Sequence, residues 1–205
     1  MATRGRPRAF DREAALQAAM TVFWEKGFTA SSMTDLCQRM GINSPSLYAA
    51  FGSKEALYAE AMAHYVKTFS PLIWTAIEQA STARAGFEAF LMGSARELTG
   101  TEWPTGCMVT LSTVASEGAS CLGQQVIEAR KGALTVLEAR LHRAVAEGEL
   151  PASVDVKGLA RMFSCVQQGM SVQARDGASR EALEAAAAAA MSAWPASPQQ
   201  TRSAT

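Results

Sequence analysis

Gly27, Gly41 and Gly52 each follow a segment whose apolar residues recur at helical spacing. Glycine is the residue best able to take the left-handed conformation that ends a helix, so each reads as a stop. Start signals match the stops. Asp11 precedes Leu16, Ala19, Met20 and Phe23 on one face; Ser31 and Ser32 precede Met33, Leu36, Cys37 and Met40; Ser44-Pro45 precedes Leu47, Tyr48 and Phe51. Ser53 then caps a fourth helix that begins at Lys54 and carries Ala56, Leu57, Met62 and Val66. This punctuation commits the N-terminal segment to a cluster of short helices. Strand signals are absent, and Asp176-Gly177 lies between two helical patterns instead. Pro71 is expected to kink or break the fourth helix. Beyond it, helices are expected at about 72–80, 83–99, 107–118, 122–147, 155–175 and 179–192, with Gly100–Gly106 a loop and 147–151 a turn. The fold class is therefore all-α.

At 205 residues and 48% hydrophobic the chain is globular, large enough for a small domain fused to a larger one. Four units are expected: a flexible basic arm over 1–9, a three-helix unit over 10–53, a larger helical domain over 54–193 and a disordered tail over 194–205. No apolar run approaches the roughly 18 residues of a membrane helix, and the N-terminus lacks a signal-peptide core, so a cytoplasmic protein is expected. Cys37, Cys107, Cys121 and Cys165 are spaced 70, 14 and 44 residues apart, and His64 and His142 are the two histidines. That spacing builds neither a zinc site nor a disulfide framework, and no metal or cofactor is expected. No nucleophile–base pair is recognisable, which argues against an enzyme.

Nineteen basic and nineteen acidic residues give a net charge of zero, which by itself argues against a nucleic-acid partner. The distribution argues the other way. Residues 1–67 hold eight basic against six acidic side chains, and 68–205 hold eleven against thirteen. Up to residue 12, Arg4, Arg6, Arg8 and Arg12 face Asp11 alone.

Two short helices meeting at Gly41-Ile42-Asn43 have the layout of a helix-turn-helix, whose second helix enters the major groove of DNA. Ser31, Ser32 and the N-terminus of the second helix offer phosphate donors, as do the Tyr48 hydroxyl and the Lys54 ammonium. Base-edge contacts would fall to Asn43, Ser44, Ser46, Ala49 and Ala50. An ordinary three-helix corner has the same spacing. The segment Arg4-Gly5-Arg6-Pro7-Arg8 favours DNA, because arginines on a thin extended backbone suit a narrow minor groove; a solvated basic tail is the alternative.

The stretches Gly27-Phe28-Thr29-Ala30-Ser31-Ser32-Met33, Asp35-Leu36-Cys37, Gly41-Ile42-Asn43, Leu47-Tyr48-Ala49-Ala50-Phe51 and Ser53-Lys54-Glu55-Ala56-Leu57 resemble the DNA-binding domain of TetR-family transcriptional regulators. The resemblance covers about residues 10–60; the remainder is similar in length and layout. It implies an all-α homodimer of about nine helices per chain, bound to a palindromic operator as a repressor and released by a small molecule in the C-terminal domain. By position, Ser32, Thr34 and Asn43 match backbone- or base-contacting residues. Ser44, Pro45 and Ser46 match the leading turn of the recognition helix, with Tyr48 and Lys54 on phosphates. Ala49 and Ala50 depart from the larger polar residues often found there. Shape readout, thymine methyls and the arginine arm would then carry more of the specificity.

In the C-terminal half, Leu159, Met162, Phe163, Val166 and Met170 form an apolar stripe interspersed with Ala160, Ser164 and Gly169. With Leu183, Ala186, Ala187 and Ala190 on the last helix, these faces form either a two-fold dimer interface or the core of one chain. The run Ala185–Ala190 reads as close helix packing. Candidates to line an effector pocket are His64, Phe69, Trp74, Phe87, Phe90, Leu91, Trp103, Cys107, Met108, Leu111, Phe163 and Gln167, with Gln168 a further polar group. Cys107, at an expected helix N-terminus, is either a reactive sensor thiol or a small buried hydrophobe. Three functions thus stand: a regulator binding double-stranded operator DNA and a small apolar or amphipathic effector, a cysteine-based redox or electrophile sensor, and a small all-α enzyme using the same pocket. A purely structural helical scaffold would leave the arginine arm idle.

Overall fold

The computed structural model describes residues 10–116, 118 and 120–196, so Arg4, Arg6 and Arg8 and the end of the tail lie outside the described residues. Nine helices occur among those described: α1 Arg12–Lys26, α2 Met33–Met40, α3 Ser44–Phe51, α4 Lys54–Gln79, α5 Ala83–Leu98, α6 Met108–Leu111, α7 Ser120–Ala146, α8 Val156–Arg175 and α9 Arg180–Met191. Caps fix the first four. Asp11 accepts from the backbone of Glu13 and Ala14, Ser32 from Asp35 and Ser53 from Ala56. The cap of α3 is Asn43, with Ser44 and Pro45 already inside the helix. The Asn43 side-chain Oδ1 accepts the Ser46 N–H at 2.9 Å, a bond that the Ser44 side chain, one residue further on, is not placed to make.

Two apolar cores hold the helices together. The first gathers Ala19, Met20, Phe23 and Trp24 of α1, Leu36 of α2, Leu47 and Phe51 of α3, and Leu57, Tyr58, Ala61 and Tyr65 of α4, joined by Met108, Val114, Leu122 and Val126. The second gathers Ile73 and Ile77 of α4 with Phe87, Phe90, Leu91, Leu137, Leu141, Ala160, Phe163, Met170, Leu183 and Ala187. Because α4 contributes to both, it is the beam between them. That explains why Pro71 does not break it: the helix runs from Lys54 through Gln79 with Pro71 inside. Tyr65 and Ile73 anchor the turns on either side in different cores, and this packing outweighs the hydrogen bond that proline forfeits.

The helix expected over 107–118 is also shorter. It spans four residues and gives way to turns after Leu111. Its continuation would need donors at 113, 114 and 116 for the carbonyls of Val109, Thr110 and Ser112. Arg130 of α7 supplies those donors instead, through Nη2 at 2.9, 2.8 and 2.7 Å and Nε to Val109 at 3.2 Å. A long-range guanidinium therefore ends α6.

Candidate nucleic-acid interface and internal cavity

The α2–α3 pair presents an outward face because its apolar residues, Leu36, Leu47 and Phe51, all turn inward. Asn43, Ser44, Pro45, Tyr48 and Ala49 are exposed along α3, as are Ser32 and Thr34 on α2; Ser46 and Ala50 are half-buried. Tyr48, 50% exposed, is a large aromatic ring held in solvent. A reciprocal box fixes the start of α2. The Ser32 hydroxyl takes the Asp35 N–H at 3.0 Å, and the Asp35 carboxylate takes the Ser32 N–H at 3.0 Å. Lys26 reaches the same carboxylate at 2.8 Å. The Lys26 ammonium and then Ser32 lower the Asp35 pKa from 3.8 to about 2.

Several expected roles change. Ser31 is fully buried, its hydroxyl donating to the Gly27 carbonyl at 2.6 Å, so it offers nothing to a phosphate. Arg12, counted with the arm, is the first residue of α1; it pairs with Glu60 at 2.8 Å and sits 4.4 Å from the Phe51 ring centroid. It braces α3 against α4. Lys54 keeps its ammonium 4.5 Å from the Phe28 ring centroid at the edge of this face. Sequence reasoning passed over Gln38 and Arg39, exposed near the end of α2. Arg39 forms no ion pair among the described residues, and a lone cation on the first helix of such a pair was readable as a phosphate ligand.

Between α4, α6, α7 and α8 lies a cavity of about 440 Å³. Of the expected lining residues it collects Phe69, Trp74, Cys107 and Gln167, together with Gln168. Phe87, Phe90, Leu91 and Phe163 are instead fully buried in the second core, and they close on one another because each has an apolar partner there. Met108 and Leu111 line a smaller cavity beside α1, Trp103 packs edge-on against Phe69, and half-buried His64 borders neither cavity. Among the lining residues missed were Tyr65, Ile73, Val109, Arg130, Val136 and Ser164. Arg130 carried a signal: it interrupts the apolar stripe Val126, Ala133, Leu137 at helical spacing, where a charge needs a reason.

Burial raises the pKa of the Tyr65 phenol well above its usual value, and the adjoining Cys107 thiol adds to the effect. Cys107 donates its N–H to the Ser171 hydroxyl at 2.7 Å. It precedes a helix of only four residues, too short to supply the helix field expected to activate the thiol.

Residues 105–112 join this cavity to the α1–α3 unit. The Trp24 indole donates to the Gly106 carbonyl at 3.2 Å, and the Tyr58 and Ser112 hydroxyls meet at 2.8 Å. Arg175, in the last turn of α8, donates to the carbonyls of Thr105, Glu25 and Trp24 at 2.9, 3.2 and 2.9 Å. Desolvation lowers its pKa, opposed by the Glu25 charge. Gly106 lies at φ 77°, and a Cβ there would stand 2.6 Å from Leu111 and 2.7 Å from the Ser171 carbonyl. Only glycine fits this crossing.

The expected dimer residues divide as well. Ala160, Leu183 and Ala187 are fully buried within one chain and Ser164 borders the cavity, so these four are core and pocket residues. Gly169, Ala186 and Ala190 are half-buried, and a Cβ added at Gly169 would meet nothing within 4 Å. No helix of the described residues is long and apolar enough to cross a membrane.

A helix-turn-helix face and an internal cavity, joined by residues 105–112, are features of a helix-turn-helix DNA-binding regulator. Residues 15–61 match the family model for bacterial regulatory proteins of the tetR family. The chain is 33% identical over 198 residues to the HTH-type transcriptional repressor ComR of Escherichia coli K12, covering 94% of this chain and 93% of that protein. It is also 33% identical over 188 residues to the HTH-type transcriptional repressor BdcR of the same organism, covering 91% and 90%. A cysteine mutant of the TetR-family regulator CifR, complexed with 26 bp double-strand operator DNA, superposes with a TM-score of 0.88 at 39% identity, covering 93% of this chain and all of that one. The chain belongs to the TetR family of transcriptional regulators. It is a regulator and not an enzyme.

Proposed function

We propose that the protein is a homodimeric repressor that binds a palindromic operator through α2, α3 and the arm residues Arg4, Arg6 and Arg8, and leaves it when a small amphipathic molecule occupies the 440 Å³ cavity. The observation that carries this is the segment 105–112: one side of it borders the cavity, and the other holds Trp24 and Tyr58 of the DNA-facing body. ComR and BdcR are named repressors, and CifR is bound to operator DNA. On the DNA, Ser32, Thr34 and Asn43 would take backbone or base contacts, Ser44, Pro45 and Ser46 would lead into the groove, and Tyr48 and Lys54 would hold phosphates. The dimer would form on the outward faces of α8 and α9, where Gly169, Ala186 and Ala190 let a second pair of helices approach. The test is a gel shift with the DNA upstream of the protein's own gene. A sequence-specific complex that weakens with salt is expected, and no complex at any salt concentration would refute it.

A second reading draws on Cys107, whose thiol lies against Tyr65 at the cavity. An electrophile entering the cavity would alkylate it. Alkylation by iodoacetamide at neutral pH, compared with a free peptide thiol, decides this: an accelerated rate supports a sensor thiol, and an equal or slower rate removes it.

A further inference from the structure

Arg130 of α7 lines the cavity without a counter-ion among the described residues. Its Nε and Nη2 serve backbone carbonyls, and its Nη1 makes no hydrogen bond. A second polar group lies in the same cavity. Gln167 is only 7% exposed, yet its side-chain amide has no hydrogen-bond partner among the described residues. Both groups line the cavity with donors to spare beside apolar walls, which is complementary to the head of an amphipathic anion. The walls here are Phe69, Ile73, Trp74, Val109 and Val136. The other charged lining residues, Lys67 and Glu78, are both exposed and oppose each other, so Arg130 sets the charge of the interior.

We infer that the cavity takes an amphipathic carboxylate, with its acid head on Arg130 and its apolar tail among the aromatic and aliphatic walls. The assignment rests on the ligand-responsive function proposed above and names its ligand class. The head accepts from Nη1 in a charge-assisted bond, and the Gln167 amide N–H is a second donor within the same cavity. Occupancy reaches α6 through the same guanidinium. Three carbonyls share the two hydrogens of Nη2, and a carboxylate drawn to Nη1 re-orients the guanidinium that holds them. Loosening Arg130 frees the end of α6 and Ser112, whose hydroxyl holds Tyr58 of α4. The ligand thereby acts on the bracket between the cavity and the DNA-facing body.

The experiment measures binding by calorimetry for octanoate, decanoate and 1-naphthaleneacetate, each beside its primary amide, at pH 7. Linear and aromatic tails separate fatty acids from aromatic acids as the source of the head. At least one acid is expected to bind about tenfold or more tightly than its amide, because the amide keeps the shape and loses the charge. That ratio should fall to near one in Arg130→Gln and persist in part in Arg130→Lys. The wild-type ratios decide the matter even if Arg130→Gln fails to fold. Amides binding as tightly as their acids, or no binding by any of the three acids at millimolar concentration, would overturn the assignment. Operator release is scored separately: an acid preference without release sustains the assigned ligand class and removes the regulatory function on which it rests.

Discussion

Replacing Arg175 with methionine keeps the aliphatic stem and removes three bonds, to Thr105, Glu25 and Trp24. Each joins a charged donor to a carbonyl, a class worth about 1.5–3 kcal/mol when well shielded. Arg175 is only half-buried and water can replace part of each bond, which brings the sum to about 2–4 kcal/mol. For a chain of this length each kcal/mol moves Tm by about 2–4 °C, so the variant should melt about 4–16 °C lower. Differential scanning calorimetry measures the change. Arg84→Met on the exposed side of α5, where the arginine makes no hydrogen bond or ion pair among the described residues, is the control and should melt as the wild type. Because the lost bonds tie α8 to the last turn of α1, the Arg175 variant should also show faster amide exchange near Trp24 than the control. A Tm within 1–2 °C of wild type, with unchanged exchange at Trp24, would refute the idea that Arg175 couples the two bodies.

Gly106→Ala places a methyl against Leu111 and the Ser171 carbonyl at positive φ, and should cost about 1–3 kcal/mol in urea unfolding; an unchanged midpoint would contradict it. Asp35 has a depressed pKa of about 2 against 3.8 unperturbed, so its carboxylate stabilises the fold fully above pH 3.8 and loses that role as pH falls through about 2. Asp35→Asn should therefore be less stable than wild type at pH 6, with the difference closing between pH 4 and pH 2; a constant difference across that window would count against the Lys26–Asp35–Ser32 arrangement. A bulky side chain at Gly169 meets open space within the chain, so Gly169→Leu should leave the helical circular dichroism intact while shifting sedimentation toward monomer. An unchanged dimer would move the interface elsewhere. Replacing Arg4, Arg6 and Arg8 with alanine should reduce operator preference as well as affinity, and an unaltered ratio of specific to non-specific binding would refute their part in readout.

The helical punctuation was readable because caps and stops act locally. Asp11, Ser32, Ser53, Gly27, Gly41 and Gly52 sit where their backbone chemistry places them, and α1 to α3 follow. What escaped depends on partners distant in sequence. Pro71 reads as a break until the two cores on either side of it are seen, and α6 reads as a long helix until Arg130 arrives from 18 to 21 residues away. The cavity was half legible for the same reason. Large aromatics such as Phe87, Phe90 and Phe163 advertise a pocket by size, but size also suits a core, and it was core that claimed them. Of the polar residues that distinguish a cavity, Gln167 was legible and Arg130 was not. Ser31 illustrates the local limit: two adjacent serines could each cap α2, and only the geometry of the preceding turn buries one and leaves the other free to cap.

The most direct test of the whole account is a hydroxyl-radical footprint of the full-length protein on the DNA upstream of its gene. A two-fold regulator with its recognition helices in successive major grooves should protect two symmetric half-sites about one helical turn apart or a multiple of it, and should lose both together as salt rises. A single protected patch, or uniform protection without sequence preference, would contradict it.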